Sequence, residues 1–181
     1  MPALRPEEWS PALRWGVSTL CTAAFALTVR AIRRQEKMMK KSGGPGIVPF
    51  ALAATPERAR EIKRTWGDAG VAAARKSLHV DFAFIASYIL PPVVFAGFVA
   101  AVVRGRGWTG WASTATWSGW AWVAAGMLDV AENVLLLHVL GADQPKKAAT
   151  RGAALCARAK FGLLGLAGAG LLTTAVAALA G

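Results

Sequence analysis

The sequence predicts an all-α fold, an integral membrane four-helix bundle carrying a cytoplasmic amphipathic helix, and three observations lead there. Of the 181 residues, 55% are hydrophobic, and they gather into runs long enough to cross a hydrocarbon core of about 30 Å. Lys and Arg number 21 against 10 Asp and Glu, a net charge of +11, and the basic residues cluster at the ends of those runs. One run also carries two acids and an amide, Asp129, Glu132 and Asn133, deep inside it. The first two observations disfavour a soluble domain. They also read the charge as membrane topology and not as a nucleic-acid surface.

Two segments divide the chain: residues 1–54, a first span with its basic tail, and residues 55–181, an amphipathic helix followed by three spans. The first apolar run, Trp15 to Val29, is short, and crosses if Arg14 and Arg30 snorkel to opposite interfaces. Arg30, Arg33, Arg34, Lys37, Lys40 and Lys41 follow it, whereas a cleaved signal peptide carries its charge ahead, so it reads as a retained helix. Lys41-Ser-Gly-Gly-Pro-Gly46 is a turn and not a phosphate loop, since no GK[ST] follows it and no strand precedes it. Ile47 to Ala54 is apolar but too short to span, and is expected at the interface or re-entering.

Thr55-Pro56-Glu57 is a helix start, with a capping hydroxyl, proline at the first position and an acid in the first turn. The helix it opens lines up Ala59, Ile62, Trp66 and Ala69, with Arg58, Arg60, Lys63 and Arg64 largely off that stripe. Such a helix suits an anionic membrane surface, or a connector packed on the bundle. Phe82 to Val103 is the second span, free of charge and kinked by Pro91 and Pro92. The third runs from about Ala115 to Leu140 and the fourth from Phe161 to Gly181, where Gly162, Gly165, Gly168 and Gly170 invite close helix approach.

Topology follows from charge. Residues 30–76 hold twelve Lys and Arg and residues 146–160 hold five, against Arg5, Arg14, Arg104 and Arg106 on the other side. Both termini are therefore expected outside the cytoplasm, in a multi-pass protein of the cell membrane. Trp9, Trp15, Trp108, Trp111, Trp117, Trp120 and Trp122 then share the outer half as an aromatic belt. Cys21 and Cys156 fall in different segments without CxxC or metal-ligand spacing, and read as isolated thiols.

At helical spacing Asp129, Glu132 and Asn133 share one face, and so do Asp81 and Tyr88, seven residues apart. At about 1.5 Å per residue, Asp81 lies a few ångströms from the inner face, Glu132 about 12 Å, and Tyr88 and Asp129 about 15 Å. A charge in hydrocarbon costs at least about 2.5–3.5 kcal/mol, so these groups need partners, water or a task. Lys160 and Arg158 begin the fourth span at the same face, which predicts a cytosol-facing polar pocket between spans two, three and four.

Three readings remain open for the pocket. The acids perform acid/base chemistry on a lipid, with Glu132 as the acid, Asp129 its partner, and Tyr88 and Asn133 as orienters. In a variant, Asp129, Glu132 and Asp81 hold Mg²⁺ while Lys160 and Arg158 bind a lipid diphosphate. Alternatively they relay protons or ions, or they are structural glue in a non-catalytic subunit. His138 sits half a turn from the acids and His79 at the membrane edge, and no Ser, His and acid share a face, so no triad is expected. The partners implied are anionic lipids at the cytoplasmic face and a lipophilic small molecule, with no nucleic acid.

Asp81-Phe-x-Phe-Ile-x-x-Tyr88 and Leu128-Asp-Val-x-Glu-Asn133, with Trp66-Gly upstream and Lys160-Phe downstream, resemble a pattern in a group of uncharacterised small four-span bacterial membrane proteins. The resemblance covers about residues 55–181, leaves the first span as the variable part and implies no activity. In outline the layout is also similar to sterol isomerases of the emopamil-binding type and to integral-membrane terpene cyclases. Their motifs do not map onto these positions, so that likeness is one of architecture and implies no residue role.

Overall fold

Local chemistry sets where each helix starts. Ser10 caps α1 (Pro11–Lys41), its hydroxyl accepting from the Leu13 amide at 3.3 Å, and Ser42 closes it by donating to the Met39 carbonyl at 2.9 Å. Thr55 caps α3 (Pro56–Gly105) in the same way, accepting from the Arg58 amide at 3.3 Å with Pro56 behind it. Between them lies one turn and a half of helix, α2 (Ile47–Ala51). Gly107, at φ 77°, turns the chain into α4 (Thr109–Gly141), and α5 (Lys147–Ala180) completes the fold.

The computed structural model describes residues 9–180, and among these it contains helices and no strand. Arg5 and Gly181 lie outside the described residues, as does the side chain of Arg14. Four helices are long and apolar enough to cross a membrane, so the protein is an all-α, multi-pass membrane helical bundle. Neighbours in sequence are neighbours in space: α1 packs along α3, α3 on α4 and α4 on α5. The two short turns make α3, α4 and α5 run antiparallel in succession.

Two boundaries differ from expectation. α1 does not stop at its first arginine, because nothing in residues 30–41 breaks a helix before Ser42-Gly43. The amphipathic segment and the second span are two helical pieces of one element, residues 56–66 and 68–105, joined at a kink where Gly67 leaves helical geometry (φ 60°, ψ −175°), so the spanning piece starts well before Phe82. The second piece alone is about 57 Å long at 1.5 Å per residue, against a hydrocarbon core of about 30 Å, so its first turns and the piece before Gly67 stand beyond the bilayer core.

That projecting part is not a free surface helix. Ala59, Ile62 and Trp66 are buried, but Ala69 is exposed, since the bend at Gly67 shifts the buried face to Gly70, Ala73, Ala74 and Ser77. The stripe packs against Met39, Phe50, Leu136, Val139, Leu140 and Ala153. Trp66 stacks on Phe50 at 5.0 Å between ring centroids and donates its indole N–H to the Pro45 carbonyl at 2.6 Å, so α2 folds back as a plug. Lys63 donates to the carbonyls of Val139 (3.3 Å) and Ala142 (2.7 Å), capping the C-terminus of α4 with a cation.

The opposite end has a smaller core of Ala96, Val99, Ala100, Ala115 and Leu171. The helix crossings there use small residues, and of the four expected glycines only Gly170 is among them. A methyl group on Gly119 would sit 3.2 Å from Ala96, and one on Gly170 would sit 2.8 Å from the Ser118 hydroxyl, while Gly162, Gly165 and Gly168 face open space. Trp15 (75% exposed), Trp117 (73%) and Trp120 (57%) point outward, as an interfacial belt requires.

Candidate functional site

Between the two cores, α4 turns its polar face inward. Asp129, Glu132 and Asn133 are 4%, 5% and 2% exposed, a degree of burial that demands partners for each. The three-and-four spacing that puts them on one face also alternates them with Gly126 and Leu136, both buried. Gly126 admits α3 closely, since a methyl group there would collide with Ile89.

Their partners come from two other helices. Lys160 on α5, itself buried, forms ion pairs with Asp129 and, at 2.7 Å, with Oε2 of Glu132. Tyr88 on α3 donates its hydroxyl to Oδ2 of Asp129 at 2.8 Å, so both oxygens of that carboxylate are engaged. One turn nearer the basic end, Asn133 donates its amide to Oδ2 of Asp81 at 2.7 Å. The arrangement is a four-residue network, Asp129–Tyr88–Lys160–Glu132, with a separate Asp81–Asn133 bridge beside it.

An aromatic series continues from it. Phe25 of α1 meets Phe84 at 5.3 Å, Phe84 meets Tyr88 at 5.1 Å, and Tyr88 meets Trp122 edge-on at 6.2 Å. The indole N–H of Trp122 is buried and has no hydrogen-bond partner among the described residues.

These groups border a cavity of about 780 Å³. Asp81, Tyr88, Asp129, Glu132, Asn133 and Lys160 all line it, together with Phe84, Trp122 and Leu164. Its volume lies in the upper part of the range for small-molecule sites. α1 contributes a wall the sequence reading did not assign, through Phe25, Val29, Ile32 and Glu36, a spacing of four, three and four that marks one helical face. The pocket is thus built by all four long helices and not by spans two to four alone.

The chain matches no family model, no curated protein and no solved structure. What the site can do therefore follows from its own geometry.

Six of the seven residues expected at the site converge: Asp81, Tyr88, Asp129, Glu132, Asn133 and Lys160. Arg158 does not; it is exposed on α5 and borders no part of the cavity, because an offset of two residues turns it away from Lys160. The acids also do not gather as a metal-ligand set. Among the described residues no group of three or more His, Cys, Asp or Glu side chains is placed to hold an ion, and the Lys160 ammonium already lies between two of the acids. His138 is exposed away from the cluster, and His79 bonds through Nδ1 with the Arg75 carbonyl at 2.7 Å.

Trp122 and Phe25 were legible only as belt and span residues. The tryptophan is special in lying five residues below Trp117, on the side that α4 turns to α3, and no composition signal marks that.

Proposed function

We propose that the protein is a cell-membrane enzyme performing acid/base chemistry on a lipid or isoprenoid substrate, of the isomerase or cyclase kind. In this reading the basic end lies in the cytoplasm against anionic lipid, with both termini on the far side. The observation that carries it is Glu132: a cavity-lining carboxyl group, 5% exposed, whose Oε2 has only Lys160 beside it. Asp129 next to it is saturated by Lys160 and Tyr88, so it fixes the ammonium and leaves Glu132 as the group free to exchange a proton.

In the forward direction Glu132, protonated while Asp129 alone balances the Lys160 charge, transfers that proton to one carbon of a substrate double bond. The electron pair of that bond forms the new C–H bond, and the neighbouring carbon becomes cationic beside the rings of Phe84, Tyr88 and Trp122, whose faces attract positive charge. Asp81, held by Asn133, accepts a proton from the adjacent carbon, and that C–H electron pair closes the shifted double bond. Nothing is oxidised or reduced, and the proton count of substrate and enzyme balances.

Glu132→Gln tests the proposal. Membrane yield and the detergent elution profile should stay near those of the parent, while mass spectrometry of lipid extracts should lose the species that depends on the gene. A second reading, a non-catalytic subunit held together by these contacts, is favoured by the complete pairing of Asp129. It is the better account if Glu132→Gln lowers yield first and lipid extracts with and without the gene are identical.

A further inference from the structure

The cavity is a slot, and its shape and charge constrain what fills it. Its lining on α3 runs from Ser77 to Pro92 and on α4 from Trp122 to Leu136. At 1.5 Å per residue each stretch is about 22 Å, parallel to the helix axes. On α1 the lining from Cys21 to Glu36 has the same length. On α5 only Lys160, Phe161 and Leu164 contribute, a single turn. The slot is therefore walled by α3 and α4 along its back and by α1 along one side, while α5 covers its middle and Ile47, Val48 and Ala51 of α2 line it near Glu36.

No substantial packing joins α1 to α5. The residues flanking that gap are apolar and outward-facing at membrane level: Phe25 is 42% and Phe161 51% exposed. An opening bordered by such side chains faces acyl chains, not water.

The polar groups sit midway along the slot. Asp81 is four residues from one end of the α3 lining and Tyr88 four from the other. Three carboxyl groups, those of Asp81, Asp129 and Glu132, face one ammonium there. Towards one end stand Arg33 and Glu36, the latter paired with Lys40 at 3.0 Å, and the other end is Trp122, Pro91 and Pro92. A phosphate or diphosphate placed at the centre would meet excess carboxylate and a lysine that is already engaged.

We propose that the slot takes one elongated, uncharged membrane lipid, which slides in from the bilayer through the gap between α1 and α5 and lies lengthwise with an internal carbon against Glu132. This deepens the enzyme reading above and rests on it only for the role of Glu132, since a lipid could bind here without being converted. The unpaired indole N–H of Trp122 and the free carboxylate lone pairs of Asp81 are the groups left to meet a hydroxyl or another neutral polar group on that lipid.

The test uses the full chain reconstituted in lipid vesicles and a long-chain prenyl alcohol bearing a diazirine, activated by light, with the cross-linked peptides identified by mass spectrometry. Labelling should concentrate on slot residues of α1, α3 and α4, with Phe25, Phe84 and Trp122 as markers. Unlabelled alcohol should compete about tenfold better than its diphosphate. Leu164→Trp, which fills the gap from α5, should cut slot labelling about tenfold, with Leu172→Trp, on the outer face of the same helix, as the control for folding. Labelling spread evenly over lipid-facing residues, equal or better competition by the diphosphate, or equal loss in both tryptophan variants would each overturn the proposal. Specific slot labelling combined with an unchanged lipid profile in Glu132→Gln cells would uphold this inference while removing the catalytic one.

Discussion

Removing the Lys160 ammonium is the sharpest way to weigh the buried network. Lys160→Met keeps a side chain of similar length and leaves Asp129 and Glu132 without their shared cation, at side-chain exposures of 6% each. Breaking a buried ion pair by deleting one partner costs about 3–5 kcal/mol, because a charge is left in low dielectric with nothing to balance it. A neutral interhelical hydrogen bond in a membrane averages only about 0.6 kcal/mol. At about 1.4 kcal/mol per decade, the expected loss is two to three and a half orders of magnitude in the folding equilibrium. Equilibrium unfolding of the purified protein in mixed detergent micelles, followed by tryptophan fluorescence, measures it. The companion variant, Lys160→Met with Asp129→Asn and Glu132→Gln, removes the charges together and should recover most of the loss, since replacing a whole buried ion cluster by neutral groups is often neutral or better. A cost below about 1 kcal/mol for Lys160→Met, or a triple variant no more stable than the single, would refute the claim that this cluster is a compensated charge set.

Other consequences are as direct. Gly126→Ala forces the Ile89 side chain out of its place and should cost about 1–3 kcal/mol in the same unfolding assay, whereas Gly165→Ala, with no atom near the added methyl, should be neutral or slightly stabilising. Trp66→Phe keeps the contact with Phe50 but deletes the hydrogen bond to the Pro45 carbonyl; a loss of about 1 kcal/mol and faster proteolytic cleavage within residues 42–46 are expected, and an unchanged cleavage rate would show that α2 is not anchored there. With Cys21 and Cys156 replaced by Ala, a membrane-impermeant thiol reagent should label Thr109→Cys in intact cells and Ser42→Cys only after permeabilisation; the reverse pattern would overturn the proposed orientation.

The expected site was largely readable because helical periodicity is a local rule. Once Asp129, Glu132 and Asn133 lie within one apolar helix, the three-and-four offsets place them together whatever surrounds them. Depth counting along antiparallel spans then brought Asp81 and Tyr88 to the same level, and the hydrogen bonds Asn133 to Asp81 and Tyr88 to Asp129 match that register. Arg158 failed because charge and level were counted but not angle: two residues from Lys160 lies the opposite side of the helix. The part played by α1 was missed for a similar reason, as its apolar face reads the same whether it meets lipid or a cavity wall.

The sequence by itself determined the number of spans, the end of the molecule that gathers the positive charge, and the helix faces on which acids and amide stand, because each depends on residues within a few turns of one another. Only the tertiary structure decided that Lys160 pairs with both Asp129 and Glu132, that the amphipathic stripe of α3 is covered by Met39, Phe50 and the ends of α4 and α5, and that α1 walls the cavity. Those outcomes turn on how helices rotate and cross, which is fixed by packing between residues up to more than a hundred positions apart, and no local pattern encodes it.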